Sequence, residues 1–235
     1  LMCILYLVRH GQASFSADNY DTLSTKGQQQ ATLLGEYLAQ KQLTPDAVFA
    51  GSMLRHNQTA ELSLASANNT PVVINDARLN EYDHEHILAV YNPQLATPSQ
   101  VRAALSKQAE PMEYFKTVFI SAIQQWVLNP DSTQYNESFN AFTARVLGAL
   151  EQIANENHGK KVIIYTSGGP ISIITSHLMG LKLERFIDIN WSLVNAGVTK
   201  VVARGKGKNQ KLTISSLNEH HFLECHPQQK LITYT

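Results

Sequence analysis

The sequence predicts an α/β protein with a mostly parallel central sheet and a helical insertion. Three observations carry this. Short apolar runs rich in strand-forming residues alternate with helix-period segments as far as Ile74, the rhythm of parallel strands joined by crossover helices. Strand signals are then absent from Asn80 to Asn157, where only helical patterning is found. The buried-strand pattern returns at Lys160–Thr166, so the helical stretch interrupts the sheet and does not end it. The chain of 235 residues suits one large domain, with the insertion at about 82–140.

The run Cys3-Ile4-Leu5-Tyr6-Leu7-Val8 is short, apolar and not periodic at 3.6, so it reads as a buried first strand. Arg9, His10 and Gly11 follow where the strand runs out. Ala17–Ser24 is a polar loop, and Ser24 caps a helix that runs to about Lys41. Ala47–Ala50 is a second strand, Met53–Ala65 a helix carrying Arg55, and Pro71–Ile74 a third strand. Helical segments follow at about Glu85–Tyr91, Pro98–Leu105, Met112–Leu128 and Ser138–Asn155, the last returning to the core. After the strand at Lys160–Thr166, Ser167-Gly168-Gly169-Pro170 opens a helix through Met179, with Pro170 suited to a first turn. Gly197–Ala203 and Lys211–Leu217 are closing strands joined by a hairpin loop at Gly205–Asn209.

Composition narrows the partners. Nineteen Lys and Arg balance nineteen Asp and Glu, so there is no global basic footprint for nucleic acid and no charge that would draw the chain to an anionic membrane. No apolar stretch reaches the length of a membrane span, and the first strand lacks the length and flanks of a signal peptide. The expected compartment is the cytoplasm. Cys3 and Cys225 lie at opposite ends of the chain without metal-type spacing and make no disulfide framework. His84-Glu85-His86 reads as a solvated helix start and not as a metal site.

Chemistry-bearing residues recur at the ends of strands: Arg9-His10-Gly11, Ser52 with Arg55, Arg78-Leu79-Asn80-Glu81, and Ser167-Gly168-Gly169. In α/β sheets ligands bind beyond the carboxyl ends of the strands. Arginines give charge-assisted bonds to phosphate oxygens, and a glycine-rich helix N-terminus offers free amides to an anion. An imidazole neutral near pH 7 is a competent nucleophile. Together these are the requirements of phosphoryl transfer, whose catalysis is largely positioning and charge stabilisation.

The stretch L-V-R-H-G-Q-A-S-F at 7–15 resembles the signature of the histidine phosphatase superfamily, which includes the cofactor-dependent phosphoglycerate mutases. The likeness continues through L-S-T-K-G-Q-Q-Q-A at 23–31, S-M-L-R-H-N-Q-T-A at 52–60, L-N-E at 79–81, the strand with G-G-P-I at 162–171 and N-A-G-V at 195–198. It covers nearly the whole chain in the right order. R-H-G alone is a weak signal; the full series is a strong one.

The resemblance implies a three-layer αβα sandwich with the insertion as a lid shaping the substrate pocket. It implies a phosphomonoester hydrolase, favoured here over a mutase. His10 would form a phosphohistidine, Arg9 and Arg55 would hold the phosphoryl oxygens, and Glu81 would be proton donor and then base. Gln12, Ser14, Phe15, Ser167, Gly168 and Asn195 would lie around the phosphate. No metal or cofactor is called for, because the arginines supply the charge. The expected partner is a small phosphorylated substrate or inorganic phosphate.

One position departs from the family pattern. Such proteins usually carry a second histidine, in a His-Gly-Gly pattern, where this chain has Ser167. Loss of one preorganised donor to a transition-state oxyanion costs roughly a hundred- to a thousandfold in rate. The expectation is therefore a phosphatase slowed by Ser167, or rescued by another residue, with His84, His86 and His177 as candidates by residue type alone. The competing reading is a phosphate-binding module with little turnover.

Overall fold

The computed structural model describes residues 2–14, 21–68 and 71–234. Six strands, β1 (Met2–Arg9), β2 (Ala47–Ala50), β3 (Val73–Asn75), β4 (Lys161–Thr166), β5 (Val198–Arg204) and β6 (Lys211–Glu219), form one sheet in the order β3-β2-β4-β1-β5-β6. The first four in that order run parallel, and β5 and β6 are antiparallel to their neighbours. β4 therefore sits between β2 and β1, and the carboxyl ends of all three point the same way.

Nine helices accompany the sheet: α1 (Thr25–Gln40), α2 (Leu54–Ser66), α3 (His84–Tyr91), α4 (Pro98–Leu105), α5 (Pro111–Leu128), α6 (Phe139–Glu156), α7 (Gly168–Leu178), α8 (Arg185–Ser192) and the single turn α9 (His221–Glu224), counted among the described residues. Ser24 caps α1 by accepting from the Gly27 amide, and Ser138 caps α6 by accepting from that of Ala141. Prolines open α4 and α5, where the absent amide hydrogen is not missed.

Side-chain alternation along the strands divides the core in two. Leu5 and Leu7 of β1 and Val162 and Ile164 of β4 pack with α6, α7 and the aromatic cluster of Trp126, Phe139, Phe142 and Phe186. Val8, Ile163 and Tyr165 pack on the other face with Leu34 and Leu38 of α1, Ala60 and Leu64 of α2, and Phe222. The result is the expected α/β architecture with helices on both faces. Among the described residues no helix is long and apolar enough to cross a membrane.

The elements differ in places from the sequence reading: the single turn α9 was not foreseen, and some bounds shift. β3 starts at Val73 rather than Pro71, and β6 runs on to Glu219. Helix α8 was not anticipated. It has eight residues, and Glu184 at its start makes no side-chain capping bond, so no start signal marks it; the burial of Phe186 and Ile187 holds it in place.

Candidate active site

The site is built where β1, β4 and β2 end side by side. The His10 amide donates to the Thr166 carbonyl (2.9 Å) and the Gly51 amide to that of Tyr165 (3.0 Å), tying the three ends together. Gly11 turns the chain against the first turn of α1: a Cβ there would lie 2.4 Å from the Gly27 carbonyl oxygen. The Gly11 amide donates to Thr59 Oγ1 (3.0 Å), joining the turn to α2. From the far side, the Ala196 amide donates to the Arg9 and His10 carbonyls, with Ala196 itself in the left-handed region (φ 61°).

His10 is buried, and its Nδ1 lies 2.7 Å from the Gly11 carbonyl oxygen. A carbonyl only accepts, so Nδ1 carries the ring proton and Nε2 keeps its lone pair. Arg55 Nε donates to that Nε2 at 3.2 Å. Burial, followed by the charge of Arg55, the nearby His56 and Arg9, pushes the proton affinity of His10 well below the usual histidine range, against the opposing Gly11 bond. The ring is thereby held neutral.

Arg55 sits in the first turn of α2 and pairs with Asp21 (Nη1 to Oδ1, 2.8 Å). Asp21 also accepts from the Leu54 amide (2.7 Å), so one carboxylate caps α2 and orients its arginine. Arg9, at the end of β1, donates from Nη1 to the Leu193 carbonyl.

Glu81 follows the short 3-10 turn after β3. Arg145 of α6 clamps that segment, donating to the carbonyls of Arg78 and Asn80 (2.8 Å each) while pairing with Glu137. Glu81 Oε2 accepts from the Gly169 amide at 3.1 Å. Burial raises the proton affinity of Glu81, opposed by that bond and by the charges of Arg55 and Arg9. A Cβ at Gly168 would approach Arg9 Nε at 3.4 Å, and one at Gly169 would lie 2.0 Å from Glu81 Oε1. The start of α7 thus touches both the arginine and the carboxyl group, and Arg9, His10, Arg55, Glu81 and Gly168 share one locus.

The remaining predicted residues are placed otherwise. Asn195 Nδ2 donates to the His10 carbonyl (3.2 Å) and its Oδ1 accepts from Thr233, so it steadies the His10 backbone. Gln12 Oε1 accepts from Ser24 Oγ (3.0 Å), and the Gln12 amide donates to Gln30, both at the start of α1. Ser14 is half-buried, with its amide on the Thr22 carbonyl. Phe15 lies outside the described residues.

Ser167 is fully buried, and an imidazole does stand beside it. That ring comes from α2: His56 Nε2 is 2.6 Å from Ser167 Oγ, and its centroid is 5.7 Å from that of His10. None of the three histidines suggested by residue type makes this contact. His177 is exposed, His86 accepts from the Asn136 amide, and half-buried His84 packs against Phe119 within the field of Arg55. Sequence reasoning missed His56, Asp21 and Arg145. His56 was visible inside S-M-L-R-H-N-Q-T-A, next to Arg55, but nothing in the spacing said that its ring would reach the end of β4. A separate cavity of about 120 Å³, walled by Tyr6, Tyr37, Lys41, Lys161, Lys200 and Glu219, shares no residue with this site.

A guanidinium bonded to an imidazole that resists protonation, with a second arginine close enough to act on the same ring, suits an anion of two charges, the arrangement of a protein that handles phosphoryl groups. Comparison with known proteins narrows the class: the chain belongs to the histidine phosphatase superfamily (branch 1), whose family model matches residues 5–215. It is 39% identical to phosphoglycerate mutase 1 of Saccharomyces cerevisiae over 84 residues, a match spanning about a third of each chain (33% and 34%). It is 30% identical to a metal-independent phosphoserine phosphatase of Arabidopsis thaliana over 72% of this chain and 66% of that one. Among solved structures it resembles the phosphoserine phosphatase of Entamoeba histolytica in complex with 3-phosphoglyceric acid. The TM-score there is 0.65 at 16% identity, covering 94% of this chain and 99% of the other.

Proposed function

We propose that the chain is a phosphomonoester hydrolase that works through a phosphohistidine on His10. The observation that carries this reading is the bond from Nδ1 to the Gly11 carbonyl, which leaves Nε2 as an unprotonated nitrogen facing Arg55 and within the field of Arg9. The Nε2 lone pair attacks phosphorus, and the ester P–O bond breaks. The leaving oxygen takes the proton of Glu81. The resulting Glu81 carboxylate then removes a proton from water, whose oxygen attacks phosphorus and breaks the P–N bond. Arg9 and Arg55 offset the two negative charges of the monoester, and Arg55 moves from Nε2 to the phosphoryl oxygens as the ester binds.

The two shifted proton affinities make these roles compatible. With ordinary values a carboxyl group loses its proton before a histidine does, so a protonated Glu and a neutral His would scarcely coexist. Burial moves Glu81 up and His10 down, and both shifts widen the range in which acid and nucleophile are ready together.

The test is a quenched reaction with a labelled aryl phosphate. Wild-type protein is expected to yield an acid-labile, base-stable phosphoryl adduct and steady turnover, both abolished in His10→Ala. Phosphate binding without any adduct or turnover would replace this reading with the binding module.

A further inference from the structure

The proposed reaction leaves one buried imidazole unused. His56 is completely buried at the start of α2, where the Gly51 backbone is the one polar neighbour of its Nδ1 among the described residues and makes no well-formed hydrogen bond to it. Its ring is pressed against Gly51, where a Cβ would come within 2.2 Å of Nδ1. Its Nε2 is bound to Ser167 Oγ at 2.6 Å. Ser167 stands at the N-cap position of α7, yet its hydroxyl makes no capping bond to that helix. The strand order explains the meeting: β4 lies between β2, which leads into His56, and β1, which leads into His10. Ser167 is therefore flanked by His56 on one side and, through Gly168 and Gly169, by Arg9 and Glu81 on the other.

We propose that His56 acts through Ser167 as a donor relay to the phosphoryl group on His10. Nε2–H of His56 donates to Ser167 Oγ. A serine hydroxyl has one hydrogen, so an oxygen that accepts from His56 directs that hydrogen elsewhere, toward the phosphoryl oxygens held by Arg9 and Arg55. The relay uses the neutral tautomer with its proton on Nε2 and not on Nδ1 beside Gly51, so it needs no charged histidine. The hydroxyl is polarised by the bond it accepts and becomes a stronger donor than an isolated serine. His56 is a positioning residue in this scheme, and Ser167 is the group that touches the substrate. The inference rests on the phosphohistidine reading for its effect on rate, but not for its effect on anion binding.

The test uses His56→Ala, Ser167→Ala, the double variant, and the exchange variant carrying His56→Ala with Ser167→His. Aryl phosphate turnover and the Kd for inorganic phosphate are both measured. Each single variant is expected to lose about 10²-fold or more in kcat, the range for one oxyanion donor, and about tenfold or more in phosphate affinity. The double variant should be no worse than either single one, because one path has been cut twice. The exchange variant should recover most of the loss, whereas Ser167→His alone, crowding His56, should lower the rate. His56→Gln, which retains an amide donor, should keep more activity than His56→Leu, and this pair decides the matter if truncation to alanine unfolds the chain. Losses that multiply in the double variant, or a His56→Ala protein with unchanged kcat and phosphate Kd, would overturn the relay. If wild-type protein forms no phosphohistidine, the parent reading fails by itself, and the pattern of phosphate affinities alone then supports or sinks the relay.

Discussion

Gly169→Ala offers a way to displace the proposed acid without removing it. The new Cβ would sit 2.0 Å from Glu81 Oε1 and 2.7 and 2.8 Å from two ring carbons of Tyr82. Tyr82 has little room to yield, since its ring packs among Trp126, Phe142 and Phe186 at centroid distances of 5.2, 5.6 and 6.1 Å. The Glu81 carboxyl must move, and it loses its bond from the Gly169 amide. The backbone at 169 is helical, which suits alanine, but the contact with Tyr82 must also be relieved by a small shift of the ring or of α7, at a cost of about 1–3 kcal/mol that the matched Glu81→Gln variant does not carry. General acid–base catalysis is worth about 10²–10⁴-fold, or ~2.7–5.5 kcal/mol of barrier. The assay compares kcat/KM for an alkyl phosphate, whose leaving oxygen needs a proton, with that for p-nitrophenyl phosphate, whose leaving group does not. Gly169→Ala and Glu81→Gln should both lose about 10²-fold or more on the alkyl ester and far less on the aryl ester. Both should also accumulate phosphohistidine, because the base for water is misplaced. Equal losses on the two esters in Glu81→Gln, with an unchanged thermal midpoint, would refute the assignment of Glu81 as acid.

Other outcomes follow from the same geometry. The kcat/KM profile should fall on the acid side as His10 protonates and on the alkaline side as Glu81 loses its proton; Glu81→Gln should abolish the alkaline limb and leave the acid limb, and an unmoved alkaline limb would reassign it. Gly11→Ala drives a methyl group against the Gly27 carbonyl oxygen at 2.4 Å and should cost about 1–3 kcal/mol in a denaturant titration; an unshifted midpoint would show that the turn can retreat from α1. Burial and then the charge of Arg55, against the opposing Gly51 backbone, push the His56 pKa down to about 3 from the ordinary 6.5 of the unfolded chain. The unfolded chain therefore holds more protons in that window, and stability should fall with pH from about 6.5 toward 3, by up to about 1.4 kcal/mol per unit. His56→Asn should flatten this slope, and a slope identical to wild type would mean that His56 protonates freely in the native state.

Local patterns in the chain were enough for the strands, for most of the helices, and for Arg9, His10, Arg55 and Glu81 as residues of interest. Each strand is a short apolar run bounded by polar residues, and its end can be read from a few neighbours. Helix α8 escaped because it has no capping side chain or proline at its start, unlike the equally short α3 and α4, which open on Asp83 and on Thr97-Pro98. Asp21 escaped because its ion pair with Arg55 depends on a loop returning to the start of α2. His56 was the costliest omission, since the doubt raised by Ser167 turned on which side chain stands opposite it. The class of fold and the residue types that stand at each strand end were legible in the sequence, because both depend on local pattern. Only the tertiary structure decided that β4 lies between β2 and β1, and hence that Ser167 meets a histidine 111 positions away in the chain. Strand order is set by how whole faces of the sheet are buried, and no local pattern records it.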